Sequence, residues 1–243
     1  MESYKQGQTM TTQPETVSEP QLLDSIKDFD EYIQLAIRTE SPQSNKTDLE
    51  VLRIALGLNA ITADILDAFK KQIFYGKEEK LNETLLPNIN QIANLVMHLT
   101  MLLHGVPDGE GNLVKDENTG LHLAEELPGD IRTLHALLGV ITEGGELAEI
   151  MVKAIENEGE IDAVNLHEEL HDISWYSAIA HDANGLDFLI GLRNNINKLI
   201  KRYPQKFDSH FAANRDLTAE REQLAEGLDA ERKARIDHSE NDE

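Results

Sequence analysis

The chain has 243 residues, 40% of them hydrophobic, enough to bury a sizeable core as one large domain or two small ones. It contains no cysteine, which excludes structural disulfides, Cys-based zinc sites and cysteine nucleophiles. The formal net charge of −23 argues against general affinity for nucleic acid, whose phosphates need clustered Lys and Arg.

Residues 1–20 are polar, lack the apolar core of a signal peptide and read as a flexible tail. From Leu22 to about Arg38 apolar residues recur at helical spacing. The stretch "SPQSNKTDLE" reads as a loop ending in a capping box, Thr47 with Glu50 three residues on. Helical periodicity follows over about 48–72 and 84–104, and then "HGVPDGEGNLVKDENTG" is a loop rich in Gly, Asp and Asn. Helices resume near 130–156, 163–184 and 187–202, the last stopped by Pro204. A charged helix from about Leu217 fades into the polar end "DHSENDE". No segment shows strand alternation, and no apolar run approaches the ~18 residues of a membrane span. The expectation is an all-α, soluble, cytoplasmic protein: a tail over 1–20, a single domain over 21–216, and a charged helix and tail over 217–243.

Part of that domain reads as a degenerate internal repeat over 47–104, with 130–204 as the catalytic half. "LRIALGLNAITADILDAFKK" (52–71) resembles "LHALLGVITEGGELAEIMVK" (134–153), with Leu52, Leu56 and Gly57 matching Leu134, Leu138 and Gly139. Shifted by one residue, "PNINQIAN" (87–94) lies on "EELHDISW" (168–175). In this register Ile61, Asp64, Asn88 and Gln91 stand where the second copy has Glu143, Glu146, Glu169 and Asp172.

Those four acids carry the strongest chemical signal. Glu143 and Glu146, like Glu169 and Asp172, are spaced i, i+3, so each pair projects from one helix face. On the 163–184 helix, Leu166, Leu170, Ile173, Tyr176, Ser177 and Ala180 share the apolar face. Glu169 falls near its middle, Asp172 on its edge, and Glu168 well away. On the 130–156 helix, Leu147, Ile150, Met151 and Ala154 share a face with Glu143 inside its arc, Glu146 beside it and Glu149 toward solvent. An unpaired carboxylate on a buried face must be protonated, ion-paired or metal-bound. Two facing pairs make an oxygen cage for Mg²⁺, which favours carboxylates, waters and substrate phosphates. Gly144 and Gly145 weaken the helix by roughly 1 kcal/mol each, a cost that close approach of a ligand or helix would explain.

"HEELH" (His167, Glu168, His171) matches the H-E-x-x-H pattern of zinc hydrolases. Both histidines fall on the polar side of their helix, Ser174 and Ser177 stand where an extended motif needs Gly and His, and only remote His181 or His210 could add a ligand. Two surface histidines are the simpler reading. The basic segment "FLIGLRNNINKLIKRYPQKF" (188–207) is a second feature. Its helix has an apolar face of Phe188, Leu192, Ile196, Leu199 and Ile200, bordered by Asn195, Lys198 and Arg202, a stripe suited to phosphate oxygens.

Taken together these segments resemble a MazG-like nucleotide pyrophosphohydrolase of the all-α NTP pyrophosphatase superfamily. The carriers are Glu143-Gly-Gly-Glu146, then Glu169-Leu-His-Asp172, the run "EELHDISWY", and "NNINKLIKRYPQKFDSHFAANRDLTAERE". The resemblance covers about residues 130–222 and departs from the usual pattern at His171, where glycine is common. With the repeat, the chain is similar to the dimeric dUTPase branch, in which one chain carries an active and a degenerate half. The resemblance implies a helical bundle in which Glu143, Glu146, Glu169 and Asp172 hold Mg²⁺, with Mn²⁺ able to substitute, and carry the catalysis. It further implies that Asn195, Lys198 and Arg202 bind a nucleoside triphosphate, that water attacks the α-phosphorus, and that the products are monophosphate and pyrophosphate. The protein would be a homo-oligomer, a dimer by preference, in the cytoplasm or in a host cytoplasm if phage-encoded, with neither nucleic-acid nor membrane partners. The alternative from another class is a non-enzymatic helical module that binds metal or nucleotide.

Overall fold

The computed structural model describes residues 26, 28–41, 45–124, 129–157 and 159–239. The tail expected over 1–20 and the helix start expected at Leu22 lie outside these. The described residues form eight helices and one two-stranded hairpin, so the all-α expectation holds. The helices are α1 (Phe29–Ile37), α2 (Leu49–Tyr75), α3 (Glu78–His104), α4 (Ile131–Glu156), α5 (Ala163–Ala183), α6 (Phe188–Arg202), α7 (Ser209–Ala213) and α8 (Leu217–Ser239). None is long and apolar enough to cross a membrane.

Seven of them start on an aspartate whose carboxylate accepts backbone N–H groups of the first turn: Asp28, Asp48, Asp130, Asp162, Asp187, Asp208 and Asp216. This corrects the capping box expected at Thr47. Asp48 Oδ1 takes the N–H groups of Glu50 and Val51, and its Oδ2 takes that of His122, 2.6 Å away, tying the later loop to the start of α2. α2 ends at Gly76, whose φ of 64° lets Lys77 N–H reach back to Lys71 O. α3 therefore starts six residues before the expected 84; its first turn carries Glu78 and Glu79, which suit a helix N-terminus although "KEEKLNE" has little apolar periodicity. The polar loop after α3 forms a small hairpin, β1 (Val106–Pro107) against β2 (Leu113–Val114), which strand alternation is too short to announce.

The principal packings join α2 to α3, α4 to α5, α6 to α8 and α1 to α5. At the α4–α5 crossing a Cβ on Gly139 would lie 2.1 Å from the Tyr176 ring, so glycine is what allows the helices this close. At the α2–α3 crossing the corresponding contact is Gly57 with Leu95 Cδ1, 3.3 Å from a built Cβ. α1 is fastened to α5 by a small core of Ile33, Ala36 and Ala178, with Trp175 packed on it. The Trp175 indole N–H donates to Ala36 O and to Thr39 Oγ1, at 3.1 and 2.9 Å, so this tryptophan has a packing role. Arg132 reinforces the junction, donating to Glu40 at 2.7 Å and pairing with Asp182 at 2.8 Å.

Several apolar faces stay uncovered. Leu66, Ile73 and Phe74 on α2, Leu86 and Met97 on α3, and Met151, Val152 and Ile155 on α4 are each more than half exposed. On α6 the packing inverts the expectation. Leu192, Ile196 and Ile200 of its apolar face are exposed, while Lys198 and Arg202 of the polar border face α8, and a Cβ on Gly227 of α8 would lie 2.5 Å from the Asn194 amide.

Candidate metal centre

The α4–α5 pair brings three of the four acids together. Carboxylate oxygens of Glu143, Glu146 and Glu169 all lie within 4.8 Å of one another. Glu169 is buried, at 6% exposure, Glu143 half-buried and Glu146 exposed, so the cluster runs from the helix–helix seam to solvent. Glu168 and Glu149 are exposed, as the helical wheel places them. Gly139 and Tyr176 set the spacing. Their close contact seats α4 on α5 one turn before Glu143, so that the next turns of α4 pass over Glu169.

The electrostatics are those of anions without a counter-charge. Among the described residues no Lys, Arg or His forms an ion pair with any of the three. Burial, and after it the facing Glu143 carboxyl, push the Glu169 carboxyl above the ordinary glutamate range. The Glu169 charge, and after it partial burial, push Glu146 the same way. A hard, oxygen-only donor set whose members repel each other fits a divalent cation of the Mg²⁺ type, and the residues present fit that ion.

Asp172 does not join the cluster. It is exposed, and its charge, together with burial as the larger cause, raises the Tyr32 and Tyr176 phenols. Glu143 acts on Tyr176 as well, so this phenol feels an acid from each of the two helices. Tyr176 and Tyr32 are thus site neighbours that the sequence reading treated as packing or passed over. The signal for Tyr176 was its i+4 spacing from Asp172; nothing local marks Tyr32, which arrives from α1. Among the described residues nothing lies within 4 Å of a Cβ built on Gly144 or Gly145, so no described helix accounts for the pair.

The basic stripe points elsewhere. Arg202 grips Glu220 of α8 through Nε at 2.7 Å and a second guanidinium nitrogen at 2.5 Å. Arg215 shares the same carboxylate, and the two guanidiniums hold Glu220 far below the ordinary range, at about 2. Lys198 lies half-buried in the seam toward α8, beside Leu224 and Leu228, and Asn195 is exposed. Within one chain, therefore, none of the three stands among the described partners of the acidic cluster. The His167 and His171 rings lie 4.2 Å apart on the exposed side of α5, and His171 Nδ1 contacts His167 O at 2.5 Å. No third metal-ligating side chain joins them among the described residues. His181 is occupied with Ser177 O and the Phe188 ring, and His210 with Asn214.

No protein-family model matches the chain, and searches of curated proteins and of solved structures return no match.

Proposed function

We propose that the protein is a Mg²⁺-dependent nucleoside triphosphate pyrophosphohydrolase of MazG-like type. The observation that carries this reading is the convergence of Glu143, Glu146 and Glu169 oxygens within 4.8 Å, on two apolar helices, with no basic partner among the described residues. Mg²⁺ bound there would offset phosphate charge and lower the pKa of water. The chain's own contribution is positional. Glu169 fixes the depth of the cluster, Glu143 and Glu146 face it from α4, and the open surface over Gly144 and Gly145 leaves room for a triphosphate. A glutamate of the cluster acts as general base on a water that attacks the α-phosphorus; the α–β bridging P–O bond breaks and pyrophosphate leaves. Asp172 and the Tyr176 and Tyr32 phenols line the side toward α1 and offer hydrogen bonds to sugar or base.

The working form is a homodimer on this reading. The uncovered apolar residues of α2, α3, α4 and α6 form faces of the kind monomeric proteins seldom expose, and a second copy would cover them. Asn195, Lys198 and Arg202 would then serve phosphate from the other copy or from a rearranged α8. The degenerate repeat belongs to the same proposal. Gly57 against Leu95 and Gly139 against Tyr176 are equivalent crossings in the repeat register, and buried Asn88 stands where the second copy has buried Glu169.

Product analysis on a panel of ribo- and deoxyribonucleoside triphosphates, with and without Mg²⁺, tests the activity. Monophosphate plus pyrophosphate, dependent on Mg²⁺ and lost in Glu169→Gln, is the expected result; wild-type-like turnover by that variant removes the basis of the claim. One observation favours a second reading, a non-enzymatic metal-binding module: Arg202, the fork suited to phosphate, is turned to Glu220 and does not face the acidic cluster. Mg²⁺ that raises the melting temperature without turnover of any nucleotide would support it.

A further inference from the structure

We propose that the chain carries a second, metal-independent binding site, for a small anion bearing two or more phosphate groups, in the cleft between the α2–α3 turn and the segment that follows α6. The cleft has a volume of about 570 Å³ and is lined by Lys70, Lys71, Lys77, Lys80, Arg202 and Arg215. That is a nucleotide-sized space, within the ~300–1,000 Å³ typical of small-molecule pockets. In a chain with 22 Lys and Arg against 45 Asp and Glu, six cations around one cavity is a strong local reversal of charge.

The local acids do not neutralise it. Asp67 bridges two lysines, Lys70 at 2.6 Å and Lys71 more closely. Glu220 bridges two arginines in the same way, Arg202 at 2.5 Å and Arg215 at 2.6 Å. Lys80 pairs with Glu83 at 3.0 Å, and Lys77, half-buried at the cleft, forms no ion pair among the described residues. Counting Asp67, Glu79, Glu83 and Glu220 against the six cations leaves an excess of +2. Each bridging carboxylate also holds its two cations near each other, which arranges them for oxygens on neighbouring phosphates.

The cleft is also braced. Phe207 packs on Tyr75 of α2, ring centroids 5.4 Å apart, and on Tyr203 at the end of α6, 5.5 Å apart. This aromatic trio joins the two walls, and Tyr75 and Tyr203 line the cavity. No described lining residue belongs to α4 or α5, so the cleft shares no residue with the acidic cluster, and Arg202 alone is common to it and to the stripe proposed above for the triphosphate. The two also differ in chemistry. Three carboxylates repel a polyphosphate until a cation is bound, whereas this cleft attracts it directly.

Calorimetric titration of the full chain in EDTA at low ionic strength separates the two sites, using inorganic tripolyphosphate and a nucleoside triphosphate as probes. Saturable binding that weakens as salt is raised is expected. The double variant Lys77→Glu/Lys80→Glu should weaken it at least roughly tenfold at unchanged helical content. The single exposed change Lys70→Gln is the milder check if the double variant fails to fold. Equal affinity for both probes identifies the phosphate chain as the determinant. A nucleotide preference that disappears in Tyr75→Leu identifies ring stacking in addition. Absence of saturable binding in EDTA, or binding that neither the charge reversal nor Lys70→Gln weakens, overturns the proposal.

Discussion

Glu169 is where the cost of the acidic cluster concentrates. Its carboxyl and that of Glu146 are raised above the unfolded glutamate value of 4.5, so their protonated forms are favoured in the folded state. The linkage follows. Their contribution to stability is complete below the unfolded value and is lost as pH rises through the folded ones. The metal-free protein should therefore lose melting temperature as pH climbs above 4.5 and regain it on adding Mg²⁺, a pattern readable by calorimetry in EDTA. Glu169→Gln should flatten the pH dependence and weaken Mg²⁺ binding together; a variant that keeps both wild-type behaviours would mean the carboxylates do not interact.

The wheel could find Glu143 and Glu169 on the covered side and Glu146 beside it because a position relative to the apolar stripe is a property of one helix. It could not place Asp172, because an edge residue is assigned by the neighbour that reaches it, and that neighbour is α1, far away in sequence. The direction of Arg202 within one chain was hidden for a similar reason. A border residue has two helices to choose from, and its partner Glu220 sits on α8, whose sequence is dominated by charge.

Among the elements, the two helix pairs invite a direct comparison. Gly139→Ala forces a Cβ into the Tyr176 ring, which is wedged against His135 and Trp175, and should cost about 2 kcal/mol or more. Gly57→Ala meets only the tip of Leu95, and the helix propensity gain of about 1 kcal/mol should leave it near neutral or slightly stabilised. Denaturant midpoints of the two variants measure this, and equal losses would contradict the packing described. For the α6–α8 pair, Glu220→Ala leaves Arg202, whose side chain is 14% exposed, without its carboxylate, and should cost about 2–3 kcal/mol. The contribution is fully present above pH 4.5 and lost as pH falls through about 2. The helix pattern itself was legible because apolar spacing acts locally. Which face of α6 is covered was not, since amphipathicity shows that a helix has two sides and leaves open which one finds a partner.

At the scale of the whole molecule, the balance between a small buried set and broad apolar exposure is the governing feature. The residues buried in the described chain are mostly alanine and isoleucine, while Phe74, Ile73, Ile155 and Met97 face outward. Sedimentation analysis should give a mass of twice 27.3 kDa or more at micromolar concentration. Ile73→Asp with Phe74→Ser should shift it toward the monomer; a stable, soluble wild-type monomer would contradict the dimer. The net charge of −23 opposes such association through self-repulsion, so the assembly should tighten as salt is raised.

The junction at Trp175 has a kinetic consequence. The helix pairs α2–α3 and α4–α5 join neighbours in sequence, contacts that form quickly because little loop entropy must be lost first. The indole's bonds to α1 are different. They close a loop of 139 residues, the separation between Trp175 and Ala36. Trp175 is also the chain's single tryptophan. Its fluorescence therefore reports this long-range closure, while circular dichroism reports the helices. In a stopped-flow refolding experiment the ellipticity should recover first and the tryptophan signal after it.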